Sequence, residues 1–286
     1  MLITLENGST RMTISSLGAE PQSLIRDGIE YIWQGDKEYW PRRAPLLFPL
    51  SGPTKDNKIM AGGVMYDMPN NGFARDNEFI AEKLTDNIAQ FTLEDNEEFR
   101  KKYYPYGFVL TVTYTLHEDG YTARAEVTAK DDLYYTFAWH PAFSLDINGR
   151  GCSLESYSLS FEKNEHLDRL YQSGESYVRE KDFLVGDTIE LRRTETDKGP
   201  IVLRGVESRE ITLTSTEGEH GVTAELGNMT TFVAWTQQGR HGQFLCLEPM
   251  VSFGFADRPL EIEKMEETRH LEKDHSEVWE NTFRIF

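Results

Sequence analysis

The chain is short of several things that would have assigned it quickly. It has only two cysteines, Cys152 and Cys246, in 286 residues. They lie far apart, and their spacing suggests neither a zinc site nor a redox motif. Basic residues are scarce: 30 Lys and Arg stand against 48 Asp and Glu, a formal net charge of −18. That balance argues against nucleic acid or an anionic membrane as partner, because both are polyanions. No stretch approaches the roughly 18 apolar residues of a membrane-spanning helix. The start, Met1-Leu2-Ile3-Thr4-Leu5-Glu6-Asn7-Gly8, lacks the basic region of a signal peptide. A soluble cytoplasmic protein with reduced thiols is the expectation. Also missing are a G-x-G-x-x-G before a helix, a Walker loop, a G-x-S-x-G and an H-E-x-x-H. The seven histidines show no metal-ligand spacing. No cofactor and no metal are therefore expected.

What is present is alternation. Val109, Thr111, Thr113 and Thr115 interleave with Leu110, Val112, Tyr114 and Leu116. His117-Glu118-Asp119-Gly120 follows, and a second alternating run extends from Tyr121 to Ala129. This predicts a β-hairpin closed by an Asp-Gly turn. Similar short runs occur at Ile80–Leu84, Ile88–Leu93, Cys152–Phe161, Glu210–Thr214, Gly221–Leu226, Thr231–Trp235, Phe244–Leu247 and Glu277–Phe286. One short helix is predicted from about Asp95 to Tyr103, with Asp95 or Asn96 as cap and Pro105 as stop. Aromatic residues make up 12% of the chain, enough for a sizeable core. No repeat and no linker divides the chain, so the expectation is an all-β protein, a sandwich or barrel, with residues 1–286 in one domain. The acidic segment Glu261–Glu277 reads as a loop excursion or a short helix.

Four segments could carry chemistry. Phe137-Ala138-Trp139-His140-Pro141-Ala142-Phe143 sets a histidine among aromatics at a strand end. Histidine suits proton transfer near neutrality. The competing reading is a structural histidine hydrogen-bonded beside Trp139. Phe244-Leu245-Cys246-Leu247-Glu248-Pro249-Met250 ends an apolar strand on a carboxylate. Burial of an unpaired carboxylate is costly, so Glu248 either neutralises, pairs with a cation, or serves in a site. Tyr39-Trp40-Pro41-Arg42-Arg43 offers an aromatic face and guanidinium donors, a combination suited to a sugar, or else forms a rim loop paired to acids. Asn70-Asn71-Gly72-Phe73-Ala74-Arg75-Asp76 is a turn by default, with Arg75 and Asp76 as an ordinary loop pair.

Taken in order, these segments resemble the aldose 1-epimerase (galactose mutarotase) superfamily, in particular its LacX-like branch. Gly18-Ala19-Glu20-Pro21-Gln22-Ser23-Leu24 is similar to that branch's G-A-E-L-Q-S-L. Tyr31-Ile32-Trp33-Gln34-Gly35-Asp36, then Tyr39-Trp40 and Arg42, is similar to Y-L-W-Q-G-D…Y-W-x-R. Ala44-Pro45-Leu46-Leu47-Phe48-Pro49 follows in step. Asn71-Gly72-Phe73-Ala74-Arg75-Asp76 matches H-G-F-A-R-D at all but its first position. His140-Pro141-Ala142-Phe143 and Cys246-Leu247-Glu248-Pro249 resemble G-H-P-A-F and C-I-E-P.

The resemblance implies a large antiparallel β-sandwich with a sugar cleft, and conversion between α and β anomers of an aldose. Ring opening needs a base on the C1 hydroxyl and an acid on the ring oxygen. By resemblance Glu248 is the base and His140 the acid. Arg42, Asn71, Arg75 and Trp139 are the expected substrate-binding residues. The partner implied is a small-molecule sugar, with no cofactor. This chain also departs from the pattern. Asn71 stands where the family has His, and Pro53 where it has a substrate-binding Arg. Ala138-Trp139 replaces a Gly-Gly, adding bulk beside the acid. The family's sugar-binding Asp has only a loose counterpart, Asp197. A binding protein without turnover, or an enzyme for a phosphorylated hexose, remains open on these departures.

Overall fold

The computed structural model describes residues 1–147, 153–173, 176–215, 220–240, 243–253, 260–265 and 268–286. Among the described residues the architecture is antiparallel β. One 15-stranded sheet dominates. Its path runs from Leu46–Leu47 through Ala138–Trp139, Phe244–Met250, Thr231–Trp235, Ile201–Arg204 and Tyr157–Ser173. It continues through Glu210–Ser215, Gly221–Glu225, Ser276–Ile285, Gly120–Ala129, Phe108–His117 and Ile88–Glu94 to Ile80–Lys83. A four-stranded sheet, Leu2–Asn7, Thr10–Ser15, Pro21–Arg26 and Ile29–Glu30, lies at the N-terminus. Among the described residues no helix is long and apolar enough to cross a membrane.

The predicted hairpin is present. Phe108–His117 pairs with Gly120–Ala129, and His117 faces Gly120 across the turn. Burial alternates residue by residue along Phe108–His117, which is why the sequence alternates there. The inward face of this hairpin and of Ile88–Glu94 packs against Leu5, Met12 and Ile14 of the N-terminal sheet in one apolar cluster. Burying these side chains on both sheets is what makes a sandwich of two amphipathic layers. The predicted helix is Glu97–Lys102, and the Asn96 side chain accepts a hydrogen bond from the Phe99 N–H as its cap. In the acidic segment a three-residue 3₁₀ turn, Ile262–Lys264, precedes a short strand, Arg269–Leu271. Cys152, expected to start a strand, lies outside the described residues.

The strand Phe244–Met250 is buried along its whole length. It can be so apolar because it is paired on both edges: with Thr231–Trp235 on one side, and with Ala138–Trp139 and Ala142–Ser144 on the other.

Candidate active site

Register places the two candidate catalytic residues. Ala138 is opposite Met250, and Ala142 is opposite Cys246. The same antiparallel register between those two points sets His140 opposite Glu248. Pro141 interrupts the ladder there, and the backbone N–H of His140 turns away to donate to the Pro45 carbonyl at 3.0 Å. The local break lets the imidazole lean over the carboxylate. His140 Nε2 lies 3.4 Å from Glu248 Oε2.

Both groups are buried, His140 at 8% exposure and Glu248 at 2%. Burial pushes the Glu248 carboxyl well above the usual carboxylate range. It pushes the His140 imidazole down to about 3, with the positive charges of Arg75 and Arg42 adding to the effect. Both shifts act in favour of the uncharged forms, a protonated carboxyl beside a neutral imidazole. Glu248 Oε1 and His140 Nδ1 are both buried without a hydrogen-bond partner.

The pair forms part of the wall of a cavity of about 250 Å³. That is a little under the roughly 300–1,000 Å³ of drug-sized sites, the scale for a small ligand. Trp40 stacks on the His140 ring at 5.1 Å, and Trp235 meets it edge-on at 5.7 Å. Asn70, Asn71, Arg75, Gly52 and Pro53 form a polar side, while Val233, Met250 and Phe253 add apolar wall. Two larger surface hollows, of about 330 and 410 Å³, lie elsewhere. Neither contains a histidine–carboxylate pair of this buried kind: His166 in the first is exposed and bound to Asp182.

The expected binding residues divide. Arg75 is in the cavity wall, 14% exposed at its side chain. One guanidinium nitrogen donates to the Asn70 carbonyl at 2.6 Å, and Nε is buried without a hydrogen-bond partner. Burial and the neighbouring Arg42 lower its affinity for a proton to a pKa of about 10, so it stays charged at neutrality. Asn71 is also in the wall. Its Oδ1 accepts from the Gly52 N–H at 2.8 Å, which leaves the side-chain NH₂ as its free hydrogen-bonding group.

Two expectations are corrected by the fold. Trp139 does not reach the cavity. Successive strand residues point to opposite faces, so a cleft-facing His140 sends Trp139 into the core. There it is 3% exposed, packs beside Tyr114 and Phe137, and donates from Nε1 to Asn281 Oδ1 at 2.9 Å. Its bulk is taken up in the core and does not narrow the cleft. Arg42 lies outside the cavity wall and forms a 2.6 Å ion pair with Asp76. Arg43 is likewise engaged, donating to Gln22 Oε1 at 2.7 Å. Asp197 also stays outside the wall, with Oδ1 accepting from the Gly239 N–H at 2.8 Å.

Trp235 escaped the sequence reading as a site residue. Its only signal was a tryptophan ending a strand run, and that strand's pairing of Trp235 with Cys246 could not be read locally. Metal-capable residues were missed for the same reason. His140, Cys246 and Glu248 have no recognisable spacing, yet their donor atoms lie within 4.8 Å of one another.

Comparison with known proteins gives a consistent picture. Residues 1–256 match the family model described as aldose 1-epimerase. The chain is 28% identical over 267 residues to the chromosomal protein LacX of Lactococcus lactis subsp. lactis, covering 87% of each. The crystal structure of a galactose mutarotase-like protein from Lactobacillus casei superposes with a TM-score of 0.92 at 28% identity, covering 100% of both chains. A galactose mutarotase related enzyme from Lactobacillus acidophilus shares the fold at a TM-score of 0.88 and 24% identity, covering 100% of this chain and 97% of that one.

Proposed function

The chain belongs to the aldose 1-epimerase family, and we propose that it interconverts the α and β anomers of an aldose at the Glu248–His140 cleft. The observation that carries this reading is the buried carboxylate–imidazole pair, 3.4 Å apart, in the wall of a tryptophan-lined cavity. Mutarotation requires one group that takes a proton and one that gives a proton, on either side of the anomeric carbon. Glu248 as carboxylate removes the proton of the C1 hydroxyl, and His140 as imidazolium protonates the ring oxygen. The C1–O5 bond breaks and an open-chain aldehyde forms. The C1–C2 bond rotates, and O5 attacks the other face of the carbonyl as His140 takes back the proton on O5 and Glu248 gives its proton to the C1 oxygen. The pair ends the cycle with the single proton it began with.

Burial favours keeping that proton on Glu248 in the resting pair. Docking a sugar brings hydroxyls to the unpartnered Oε1, and hydrogen bonds to a carboxylate favour its charged form. Transfer of the proton across the 3.4 Å gap to Nε2 then makes the active pair. The stacked Trp40 and the edge of Trp235 supply flat apolar surface against the C–H face of a pyranose.

Proton NMR of freshly dissolved α-glucose, α-galactose and other aldoses, with and without the protein, tests this reading. Acceleration by the wild type and none by Glu248→Gln is expected. Wild-type protein that binds a sugar yet leaves exchange at the solvent rate would instead identify a binding protein. Asn71 and Pro53 would then be the first suspects, since one has its acceptor already in use and the other has no donor.

A further inference from the structure

Cys246 takes no part in the proposed proton transfers and lies behind the cavity wall, yet its thiol is close to both groups that make them. It precedes Glu248 by two residues on the strand Phe244–Met250, so both side chains leave the same face. The Cys246 thiol, the Glu248 carboxylate and the His140 imidazole each offer one donor atom, and the three atoms lie within 4.8 Å of one another. All three residues are buried, Cys246 completely. Two of them keep a polar atom, Glu248 Oε1 and His140 Nδ1, that nothing in the protein satisfies.

A tetrahedral zinc ion holds sulfur at about 2.3 Å and nitrogen or oxygen at about 2.0–2.2 Å. Its donor atoms therefore stand roughly 3.3–3.8 Å apart, within about 1 Å of the present spacing. Charge also fits. A thiolate and a carboxylate cancel a dication, so the filled site is neutral, the condition a buried site demands. The sulfur selects a thiophilic metal over Mg²⁺ or Ca²⁺. The cavity, which Glu248 and His140 line, leaves the fourth position for water.

We propose that His140, Cys246 and Glu248 form a binding site for Zn²⁺, and that Zn²⁺ bound there inhibits the enzyme by occupying its acid and base. On binding, the Cys246 thiol and the Glu248 carboxyl each give up a proton to solvent, and no electron is transferred. The inhibitory effect rests on the anomer-exchange reading above, whereas capture of the metal does not.

The test has two arms. Reduced, chelator-treated protein is titrated with Co²⁺ and followed by absorption. A thiolate-to-cobalt band in the near ultraviolet is expected, bleached by Zn²⁺, lost in Cys246→Ser and Cys246→Ala, and kept in Cys152→Ser. In the second arm, anomer exchange by wild type is stopped by Zn²⁺ and restored by chelator, while folded Cys246→Ser keeps its exchange in the same Zn²⁺. Absence of the cobalt band, its survival in both Cys246 variants, or equal zinc inhibition of Cys246→Ser overturns the site. A wild type with no exchange at all would overturn the enzyme reading, and the cobalt band alone would then decide whether the metal binds.

Discussion

His140 and Glu248, 108 positions apart in the chain, face one another at 3.4 Å and each retains a buried polar atom with no other partner. Two such groups titrate as a unit, and turnover depends on the number of protons the pair holds. A protonated carboxyl beside a neutral imidazole has the same count as a carboxylate beside an imidazolium. The competent state is therefore the one-proton state. Its acid limit is set by a second proton on His140, which burial holds off until about pH 3. Its alkaline limit is set by loss of the proton from Glu248, which burial raises well above the ordinary carboxylate range. The rate of catalysed anomer exchange, corrected for solvent catalysis, should hold down to weakly acid pH and fall toward about pH 3, and its alkaline fall should lie above the ordinary carboxylate range. An acid limb with a midpoint near the ordinary imidazole value of about 6.5 would sink the buried neutral histidine.

Glu248 should also cost stability. The unfolded chain loses this proton at the ordinary glutamate pKa, while the folded chain keeps it. Above that value the unfolded state binds fewer protons, so stability declines as pH rises toward the raised folded pKa. Glu248→Gln removes the titration and keeps the shape. The variant should melt higher than wild type at pH 7, by about 2–4 °C for each kcal/mol relieved. The gap should close at pH 4. Calorimetry at the two pH values measures it, and a variant that melts lower than wild type at pH 7 would show that the carboxyl is stabilised by something other than its neutral form.

Arg75 is the cation in the cavity wall, and its Nε lacks a hydrogen-bond partner. Removal of the charge in Arg75→Met keeps much of the side-chain volume. Loss of one charge-assisted hydrogen bond, about 1.5–3 kcal/mol, should raise the KM for anomer exchange by roughly tenfold or more. With a neutral aldose the KM should be nearly independent of salt, since an uncharged ligand offers no charge–charge interaction for salt to screen. A hexose 6-phosphate that binds more tightly than its parent sugar, with affinity falling as salt rises, would establish the phosphorylated substrate instead.

Much of the fold was legible because alternation survives wherever one sheet face is buried. The Phe108–His117 and Gly120–Ala129 hairpin is the clearest case, together with the Asn96-capped helix. The hairpin of Tyr157–Ser173 with Ser176–Glu190 was not legible beyond its first residues. Its pairing register shifts between Ser160 and Glu165 and again between Leu167 and Arg169, which breaks the period of two. Arg169 within it is fully buried and donates to the carbonyls of Glu195, Gly199 and Pro200, so a charge in the sequence hides a core position. In the site, Glu248 and His140 stood out by residue type and motif. Trp139 misled because adjacency along a strand means opposite faces. Trp235 joins the site, and Cys246 comes up behind it, through cross-strand register, which no local window contains.

The polar wall depends on a close backbone approach at Gly72. Its φ is +71°, and a Cβ built there would lie 2.2 Å from the Phe48 carbonyl oxygen. That oxygen accepts from the N–H groups of both Phe73 and Ala74, at 3.1 Å each, and so pins the turn that carries Asn71. Gly62 has a similar φ of +56°, but nothing lies within 4 Å of its Cβ position. The two sites share the left-handed backbone and differ in clearance. Gly62→Ala should cost about 1–2 kcal/mol, the left-handed penalty alone. Gly72→Ala should cost clearly more, because the alanine must also displace a carbonyl that two donors use. Urea unfolding of the two variants measures the difference, and sugar affinity should fall only for Gly72→Ala, through displacement of Asn71. Equal losses of stability would mean that backbone conformation accounts for both, and that the approach to Phe48 contributes nothing.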